Sequence, residues 1–445
     1  MLITLNFYFK PFLKRFVMLS VSLAIAYNAA AQAKLTFSGL KRTQLSFLAL
    51  NLEDVEVSNH PDTLLWHSPQ EEIDDPSIRA FRQNLVNLPQ IQGASYSIEL
   101  KNVGGQITTY IHWEMVEAQS ITPLFGFGGV EGNVHFLVGI NDQNLIGRGQ
   151  EFQAFYQNIQ GEHNFLVAYK NPSVRNSRYG ILAEVSRYAA EEPVFFNGGS
   201  ANYLYVNENI TVGSSYRLRP RHIVDVGFSL FREDFTLLDE PNETIEAPLR
   251  LKINKLLLKV GHNIDRRNYI YERVAGSHNS TVIQSVINTN NEPFIIGWHE
   301  FQNYGLVGKR GNWATRLRLG LASNRDSPFS PFVLDSQFNI RGSGNRVDRG
   351  SAQVVLNLEY RHAVWKNKKE NFSIQTVGFS DLGTWRSPGG RFRELTNGTT
   401  LRHFVGGGVR LISAKAKNAV LRLDYGIDVQ DAQQRGFVLG FGQFF

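Results

Sequence analysis

The sequence predicts a mainly β protein, a 16-stranded antiparallel transmembrane β-barrel preceded by one small α+β domain. Long segments alternate apolar and polar residues with a period of two, which is typical of strands whose two faces meet different surroundings. The chain also closes on an alternating, aromatic-rich stretch, 436–445, which suits a strand emerging at a membrane interface. Aromatic residues make up 12% of the chain. That composition fits a membrane barrel and a large soluble β-sandwich equally, so the alternation decides between them.

The first 33 residues have the organisation of a secretory signal peptide. Lys10, Lys14 and Arg15 precede a mostly apolar run, 16–27, and Ala31-Gln32-Ala33 supplies an A-x-A cleavage site. The apolar run is too short to span a bilayer core of roughly 30 Å. We therefore expect the mature chain to start near Lys34.

Charge, hydropathy and cysteine content exclude several classes of protein. Removing residues 1–33 takes away three positive charges and no negative ones, so the formal net charge falls from +6 to +3, too little to indicate a nucleic-acid partner. The mean hydropathy is −0.23, and no later segment has 18 uninterrupted apolar residues, which excludes helical membrane spans but not alternating barrel strands. Without cysteine there is no disulfide or thiolate chemistry.

Residues 34–118 differ from the rest and predict a small domain of order β-α-α-β-β. A strand-like start is followed by a first helix reaching Leu50, a polar insertion and a second helix opened by Asp75-Pro76. Two strands joined by a Gly-containing turn complete the domain. The predicted segments are 35–40 for the first strand, 57–74 for the insertion, and 94–100 and 106–114 for the last two strands.

Residues 119–445 predict the barrel. The clearest alternating segments are 224–230, 313–321, 353–361 and 419–429. Three of these segments are nine to eleven residues long, which is the length of about 9–11 residues that a tilted membrane strand requires. Their polar faces carry several charges each, which predicts a water-filled lumen. In segment 249–260 the apolar residues change from odd-numbered to even-numbered positions at Asn254-Lys255. This change indicates a bulge or a strand extending beyond the membrane.

Sixteen strand segments are predicted between residue 121 and the end of the chain. An even number suits a single-chain bacterial barrel. The predicted segments begin near Ile121, Gly149, His163, Arg178, Ala201, Ile210, Ile223, Pro248, Ser280, Pro293, Asn312, Ser351, Phe372, Thr399, Ala419 and Gly436.

The order of these parts resembles a known family. The N-terminal domain opens with Phe37, Gly39, Arg42 and Thr43 in the pattern F-x-G-x-x-R-T, and it resembles a polypeptide-transport-associated (POTRA) domain. One such domain before a sixteen-stranded barrel resembles the BamA/TamA superfamily of outer-membrane barrels (surface-antigen type). Asp142–Gly149 is similar to that family's first-hairpin segment.

The long connection after the eleventh strand carries the most specific feature of the resemblance. It contains Ile340-Arg341-Gly342-Ser343, similar to a Val/Ile-Arg-Gly-aromatic motif on a loop that folds back into the barrel, although Ser343 departs from the usual aromatic residue. The resemblance implies that Arg341 contacts acidic residues on the next two strands, here Glu359 and Asp381. An arginine presents a fork of donors suited to carboxylates. The alternation of faces along its strand places Glu359 in the lumen. For Asp381 the alternation does not decide the side, because the apolar residues Phe379 and Trp385 share its face.

The resemblance also implies a seam between the first and last barrel strands. Glycines in the last strand leave fewer side chains to pack, so we expect weak pairing there. We expect Phe445 to anchor that strand at the membrane interface. The seam residues are Phe437, Leu439, Gly440, Phe441, Gly442 and Phe445 on the last strand and Leu124, Phe125, Gly126, Phe127 and Gly128 on the first.

No enzyme is predicted. The chain has no G-x-S-x-G, H-E-x-x-H, phosphate-binding-loop or dinucleotide-binding pattern, so no catalytic residue, cofactor or metal ligand is assigned. Several histidines stand singly, with no serine nearby in a recognisable motif, and we interpret them as lumen, loop or interface residues. They are His262, His278, His299, His362 and His403.

The resemblance implies a bacterial outer-membrane protein with its N-terminal domain in the periplasm. Its expected role is to assist insertion or export of other proteins through the seam. Expected partners are client outer-membrane or exported proteins, the lipid bilayer, and periplasmic chaperones or accessory subunits, with no nucleic acid. A secretion pore dedicated to one partner and a solute diffusion channel are the alternatives.

Overall fold

The structure is a computed structural model that describes residues 32–60, 62–68, 73–103, 106–130, 133–196, 199–238, 246–288, 292–336, 338–344, 348–367, 372–415 and 419–445. The predicted signal peptide lies almost entirely outside the described residues. The first strand begins at Gln32, so the predicted cleavage after Ala33 falls within that strand. The cleavage site stays a prediction.

The N-terminal domain is a five-stranded sheet covered by two helices. Its strand order is β2-β3-β1-β5-β4, with β1 parallel to β5 and antiparallel to β3. The elements are β1 (Gln32–Ser38), α1 (Leu45–Asn51), β2 (Val55–Val57), β3 (Thr63–His67), α2 (Asp75–Asn87), β4 (Ile91–Val103) and β5 (Gln106–Glu117).

The polar insertion predicted at 57–74 is therefore corrected in part. Strand β3 lies within it and pairs with β2 and with β1, so the order becomes β-α-β-β-α-β-β. Leu64 and Trp66 point from β3 into the core and are 0% and 4% exposed. Two apolar residues at alternate positions are too short a pattern to predict a strand from sequence, and pairing with β1 supplies the missing stabilisation.

Helix α2 begins as the sequence predicts. The side chain of Asp74 accepts a hydrogen bond from the backbone nitrogen of Ser77 at 2.9 Å, and a proline stands in the first turn. Ile78, Phe81 and Leu85 are buried on one face of the helix against the sheet. This amphipathic face fixes α2 on the domain core. Neither of the helices in the described residues combines the length and apolarity needed to cross a membrane.

In the described part of the chain, sixteen long antiparallel strands form a closed barrel, as predicted. The barrel strands are β6 (Ile121–Val130), β7 (Asn133–Leu145), β8 (Gln150–Ile159), β9 (Glu162–Asn171), β10 (Tyr179–Phe196), β11 (Gly199–Arg219), β12 (His222–Leu237), β13 (Arg250–Asp265), β15 (Arg273–Asn288), β16 (Phe294–Val307), β17 (Gly311–Ala322), β20 (Ala352–Lys366), β21 (Phe372–Arg386), β22 (Arg402–Ser413), β23 (Val420–Asp428) and β24 (Arg435–Phe441). Three short strands lie in connections: β14 (Asn268–Ile270), β18 (Phe332–Leu334) and β19 (Asp348–Gly350).

The predicted number of strands is right because two errors cancel. The sequence analysis missed β7, and it divided β11 into segments starting at Ala201 and Ile210. On β11 the buried residues Tyr203 and Tyr205 point inward, whereas the exposed residues Ile210 and Val212 point outward. The apolar face therefore changes sides along one continuous strand, and period-two reasoning interprets that change as a break.

Strand β13 shows the same change of sides. Its pairing with β12 runs without a register shift from Arg250 to Ile264, so the parity change at 254–255 is not a bulge. Ile253 is buried inside, while Leu258 and Val260 are exposed outside. The second predicted explanation, a strand extending beyond the membrane, stays a prediction.

We call the end of the barrel next to the N-terminal domain the proximal mouth and the opposite end the distal mouth. Near the distal mouth, aromatic residues of β11 and β12 fill the interior. Tyr203 and Phe235 pack together and against Phe329, which belongs to the long connection after β17. This connection thus enters the barrel from the distal side.

Candidate functional site

The connection between β17 and β20 folds into the barrel and presents the predicted motif at its tip. Strands β18 and β19 pair to form the stem. At the tip, the backbone nitrogen of Ile340 donates to the oxygen of Asp335 at 2.8 Å, and that of Ser336 donates to the oxygen of Gly344 at 2.9 Å. These bonds close a compact turn. We call residues 335–344 the lumen tip.

Ile340 is the apolar anchor of the lumen tip. It is fully buried in a cluster with Leu334, Val355, Trp385 and Phe404, which come from the stem and from three barrel strands. A Cβ at Gly383 would lie 2.5 Å from the Cδ1 of Ile340, so glycine in β21 makes room for this side chain. Trp385, which made the parity of β21 ambiguous, belongs to this packing surface.

Arg341 binds both predicted acids. Its Nε and Nη2 donate to the two carboxylate oxygens of Asp381, each at 2.9 Å, and its backbone nitrogen donates to the same carboxylate at 3.0 Å. Its Nη1 donates to Glu359. All three residues are 0% exposed. The structure thus brings together the three residues that the sequence analysis connected, with the bidentate geometry in which arginine recognises a carboxylate.

The charge cluster extends beyond the predicted residues. Glu359 also accepts from Nε of Arg361, and Asp424 of β23 accepts from Nη1 and Nη2 of Arg410 at 2.7 and 3.1 Å. A carboxylate oxygen of Asp424 lies 3.9 Å from Nη1 of Arg341. Buried charges are tolerated only when they are paired and hydrogen-bonded. The prediction of a water-filled lumen is therefore wrong at this level of the barrel, because the lumen tip excludes solvent and the charges pair with one another.

Sequence reasoning missed Arg410 and Asp424. Both lie on polar faces of alternating strands, so parity places them inside the barrel. Charged residues occur on nearly every such face, however, and parity gives no distance between strands that are not neighbours along the chain. A search for lumen-facing arginine–acid pairs on adjacent strands would have found this pair, since β22 and β23 pair directly and place Arg410 opposite Arg422, two positions from Asp424.

Gly342 allows the lumen tip to touch the barrel wall. Its φ is +88°, and a Cβ there would lie 2.6 Å from the backbone oxygen of Gly426 on β23. Conversely, a Cβ at Gly426 would overlap the carbonyl oxygen of Arg341. Two glycines, one on the loop and one on the wall, thus bring the backbones into contact.

Aromatic rings cover the Arg341 guanidinium, although the motif itself carries Ser343. The carbon Cζ of Arg341 lies 3.7 Å from the ring centre of Phe379 on β21 and 4.3 Å from that of Phe444. Ser343 instead donates its hydroxyl to the oxygen of Ile340 at 2.8 Å, within the tip. The rings next to the arginine therefore come from a barrel strand and from the end of the chain.

The position of the chain end corrects one prediction. Strand β24 stops at Phe441, and residues Gly442–Phe445 turn into the lumen. We call these four residues the tail. Phe445 does not face the membrane interface: its backbone oxygen accepts from Nη2 of Arg361 at 3.0 Å, and its ring lies 6.5 Å from that of Tyr304. The predicted role of Phe445 as an outward anchor is wrong in this conformation.

The seam between β24 and β6 is short. Among the described residues it consists of three residue pairs, Phe437 with Gly129, Val438 with Gly128, and Leu439 with Phe127. By contrast, β6 pairs with β7 over its whole length from Ile121 to Val130. On the outer surface the rings of Phe125 and Phe441 lie 5.8 Å apart across the seam. Weak backbone pairing at the predicted strands, supplemented by aromatic contacts, sets this junction apart from the rest of the wall.

Gly440 has a further role that the sequence did not reveal. A Cβ at this position would lie 3.0 Å from Nε of Arg422, which points into the lumen from the neighbouring strand β23. Arg422 is 8% exposed, and its Nε and Nη1 have no hydrogen-bond partner among the described residues. Its guanidinium carbon lies 5.0 Å from the ring centre of Phe444. Glycine in the seam strand thus makes space for a buried arginine beside the tail.

His403, for which the sequence analysis found no serine partner, lies next to a serine in the structure. The Oγ of Ser380 on β21 lies 2.9 Å from Nε2 of His403 on β22. A similar contact joins Thr281 and His299 at 2.8 Å. Ser380 alternates with the buried residues Phe379 and Asp381, which places it on the outer face of the barrel. Such pairing satisfies polar groups on a surface with few other partners.

The N-terminal domain is docked on the proximal mouth. The segment predicted as the first hairpin, Asp142–Gly149, is the end of β7 with the turn to β8. It contacts the start of α1: the oxygen of Gly147 accepts from the nitrogen of Gln44 at 2.9 Å, and Asn144 donates to Oγ1 of Thr43 at 3.0 Å. At another turn, Asn87 of α2 accepts from the backbone nitrogen of Tyr269 at 3.0 Å.

We expect Gly147→Ala to weaken this docking. A Cβ at Gly147 would overlap the carbonyl oxygen of Arg42, so the two surfaces must separate. The measurement is the rate at which a protease cleaves the purified protein between the domain and the barrel. The matched control is Gly161→Ala, in another turn with a similar positive φ (+86° against +78°) and no atom within 4 Å of the added Cβ. Equal cleavage rates in the two variants would mean that this contact does not hold the domain.

Comparisons with known proteins agree with the fold. Residues 144–445, more than half of the chain, match the family described as the Omp85 superfamily domain. No curated protein sequence matches the chain.

Solved structures of similar fold include BamA from Haemophilus ducreyi lacking POTRA domains 1–3, with 14% identity and a TM-score of 0.56, covering 92% of this chain and 83% of that one. CdiB from Acinetobacter baumannii has 13% identity and a TM-score of 0.57, and the match covers 93% of this chain and 74% of that CdiB chain. CdiB from Escherichia coli has 10% identity and a TM-score of 0.58, and the match covers 92% of this chain and 76% of that CdiB chain. At these identities the likeness concerns the fold.

Proposed function

Because this chain belongs to the Omp85 superfamily, we propose that it is a non-catalytic outer-membrane barrel that inserts or exports other proteins through the seam between β24 and β6. The observation that carries this proposal is the seam of three residue pairs, since every other pair of neighbouring barrel strands forms at least seven pairs among the described residues. Backbone groups along Ile121–Gly126 have a strand partner in β7 but none on the other side among the described residues. An unpaired edge of this kind is a template for an incoming strand.

The N-terminal domain offers a second edge. Strand β4 is the last strand of the five-stranded sheet, and its residues Ile98 and Leu100 are 50% and 66% exposed. We place this domain in the periplasm, where a client or a chaperone that carries it meets the protein first. Docking on the proximal mouth directs the start of β4 towards the barrel, since the side chain of Gln90 donates to the backbone oxygen of Gln143 at 2.8 Å. A client paired with β4 is thereby held near the seam.

The arrangement favours assembly or export over passive diffusion. The lumen tip and the tail fill the interior around Arg341, where the side chains of the charge cluster are buried. An open diffusion channel needs solvent along its axis. Secretion of one dedicated partner would use the same barrel and seam. The seam disulfide, with the outer-membrane proteome as its readout, distinguishes this function from general assembly.

The test is a disulfide across the seam in this cysteine-free chain. Phe127→Cys with Leu439→Cys joins two directly opposed residues of β6 and β24. Opposed residues in antiparallel strands have Cα atoms about 4.5–5.5 Å apart, within disulfide reach. We expect the oxidised protein to lose activity and to recover it on reduction. The control, Leu423→Cys with Leu439→Cys, keeps the same cysteine on β24 but bonds it to β23, away from the seam.

The readout is the outer-membrane proteome of cells that contain only the locked protein. Loss of many barrel proteins supports general assembly, and loss of one exported protein supports dedicated secretion. An unchanged proteome under a fully formed seam disulfide would refute a role for the seam. Altered solute uptake with that unchanged proteome would identify a channel instead.

A further inference from the structure

A compact connection between β21 and β22 presents an exposed aromatic ring among arginines at the distal mouth. We call this connection, residues 387–401, the distal loop. It contains one turn of 3-10 helix. The carboxylate of Glu394 accepts from the backbone nitrogens of Ser387 at 3.0 Å and Arg391 at 2.9 Å, which closes the loop on itself. These bonds hold the segment around Phe392 in one conformation.

The distal loop begins at the level of the lipid headgroups. At the proximal ends of β20 and β21 the rings of Trp365 and Phe372 lie 6.2 Å apart, in the position of an aromatic girdle. Thr384 lies on the same outer face of β21, twelve residues after Phe372. That separation is about 41 Å along the strand and about 31 Å along the membrane normal at a tilt of about 40°. The apolar band of such barrels is about 25 Å tall, so Thr384, whose hydroxyl lies 2.8 Å from that of Thr400, is just beyond it.

Positive charge exceeds negative charge around Phe392. Arg391 and Arg393 are exposed, and neither forms an ion pair with an acid among the residues that the structure describes. Arg386 is 3% exposed, and it donates to two neutral groups, a serine hydroxyl at 2.9 Å and a backbone oxygen at 3.2 Å. The carboxylate of Glu394 is already bound by backbone nitrogens. Three guanidinium groups thus accompany one carboxylate, which leaves the loop ready to attract an anion.

The ring of Phe392 makes this charged surface amphipathic. Phe392 is 58% exposed, although Cζ of Arg386 lies 4.6 Å from its ring centre. One side of the ring is thereby held by a guanidinium while the rest stays open. Arg325 and Asp326, on the neighbouring connection, pair with each other at 3.2 Å and do not cancel the excess charge. Aromatic rings favour the membrane interface, and the donor fork of arginine suits phosphate oxygens, so the surface fits a lipid with a phosphorylated headgroup.

We propose that the distal loop binds the phosphorylated headgroup of a glycolipid of the lipopolysaccharide class in the outer leaflet. Arg391 and Arg393 bind its phosphates, and Phe392 lies where the headgroup meets the acyl chains. Arg386 is a positioning residue, because it holds the ring and does not reach the lipid. With the N-terminal domain in the periplasm, as proposed above, the distal mouth faces this leaflet. Strands β23 and β24 separate the site from β6, so the bound lipid attaches the wall to the leaflet and leaves the edge of β6 free.

The test measures binding of bisphosphorylated lipid A to the purified full-length protein. Native mass spectrometry in non-ionic detergent counts the bound lipid, and a chelator removes divalent cations. Arg391→Gln with Arg393→Gln is expected to weaken binding about ten- to thirty-fold, because each basic residue near an anionic lipid surface contributes roughly five-fold. Arg391→Lys with Arg393→Lys keeps both charges and should lose less than about five-fold. If the glutamine and lysine variants bind equally, the two charges do not hold the lipid and the proposal is overturned.

The matched control is Lys309→Gln with Arg310→Gln, which removes the same charge from the exposed turn between β16 and β17 at the proximal mouth. It should leave binding unchanged. Lipid A without phosphates should bind the unchanged protein as weakly as bisphosphorylated lipid A binds the glutamine variant. Equal weakening by the control, equal competition by phosphatidylglycerol, or displacement by inorganic phosphate would each overturn the proposal in favour of general anion attraction. The assay contains no client, so its outcome is independent of whether the barrel inserts proteins.

Discussion

Replacing Arg341 with alanine is expected to release the lumen tip while the barrel remains folded. The substitution removes three side-chain hydrogen bonds and leaves the carboxylate of Asp381 buried, with only the backbone nitrogen of residue 341 as a donor from the tip. Losing one partner of a buried ion pair costs about 3–5 kcal/mol. Strand pairing does not involve this side chain, so the loss falls on the docking of the tip. We expect faster hydrogen exchange in 335–344 and a strong loss of activity.

Two variants sharpen this expectation. Arg341→Lys should restore only part of the docking, because an ammonium group cannot donate to Asp381 and Glu359 with the geometry of the guanidinium fork. Arg325→Ala is the matched control, since Arg325 belongs to the same connection but its side chain is 57% exposed. Exposed ion pairs contribute about 0–1 kcal/mol. If Arg341→Ala leaves 335–344 as protected as Arg325→Ala does, the cluster around Ile340 holds the tip alone and the assignment of this site must be withdrawn.

The contact of Arg341 with Glu359 and Asp381 was accessible from sequence for a physical reason. Period-two alternation fixes the side of a strand on which each residue lies, and the resemblance to a loop motif connected the arginine to the following two strands. The ambiguity at Asp381 arose because Phe379 and Trp385 share its face. In the structure Phe379 covers Arg341 and Trp385 packs on Ile340. Apolar residues beside an inward acid were thus a sign of a packed interior.

The inward turn of the tail could not be predicted from the sequence in the same way. Alternation continues without interruption from Gly436 to Phe445, so the local pattern predicts one straight strand. The tail beyond Gly442 contacts arginines from four different strands, and such long-range contacts override local propensity. They are Arg316, Arg361, Arg410 and Arg422. The division of β11 has a related cause. Period-two reasoning assumes that one face stays apolar along a strand, whereas in β11 the apolar face changes sides.

Gly426→Ala is expected to produce a defect like that of Arg341→Ala without altering any charge. Gly426 lies on the inner face of β23, opposite the backbone of the lumen tip. A Cβ there would overlap the carbonyl oxygen of Arg341 and lie 3.3 Å from Cα of Gly342. Strand β23 is held on both sides by β22 and β24, so the tip must move instead. Overpacking a well-filled interior costs about 1–3 kcal/mol.

The displacement should also break the bonds of Arg341. The two donors to Asp381 lie at 2.9 Å, and hydrogen bonds weaken steeply once distance and angle depart from such values. Gly378→Ala on β21 is the matched control, since a Cβ there has no atom within 4 Å. Hydrogen exchange in 335–344 should rise in Gly426→Ala and stay unchanged in Gly378→Ala. Because both site variants act on one contact, the double variant Arg341→Ala with Gly426→Ala should be little worse than either alone. Fully additive defects would show that Gly426 acts elsewhere, and that the tip is positioned by its side chains rather than by contact between the two glycine backbones.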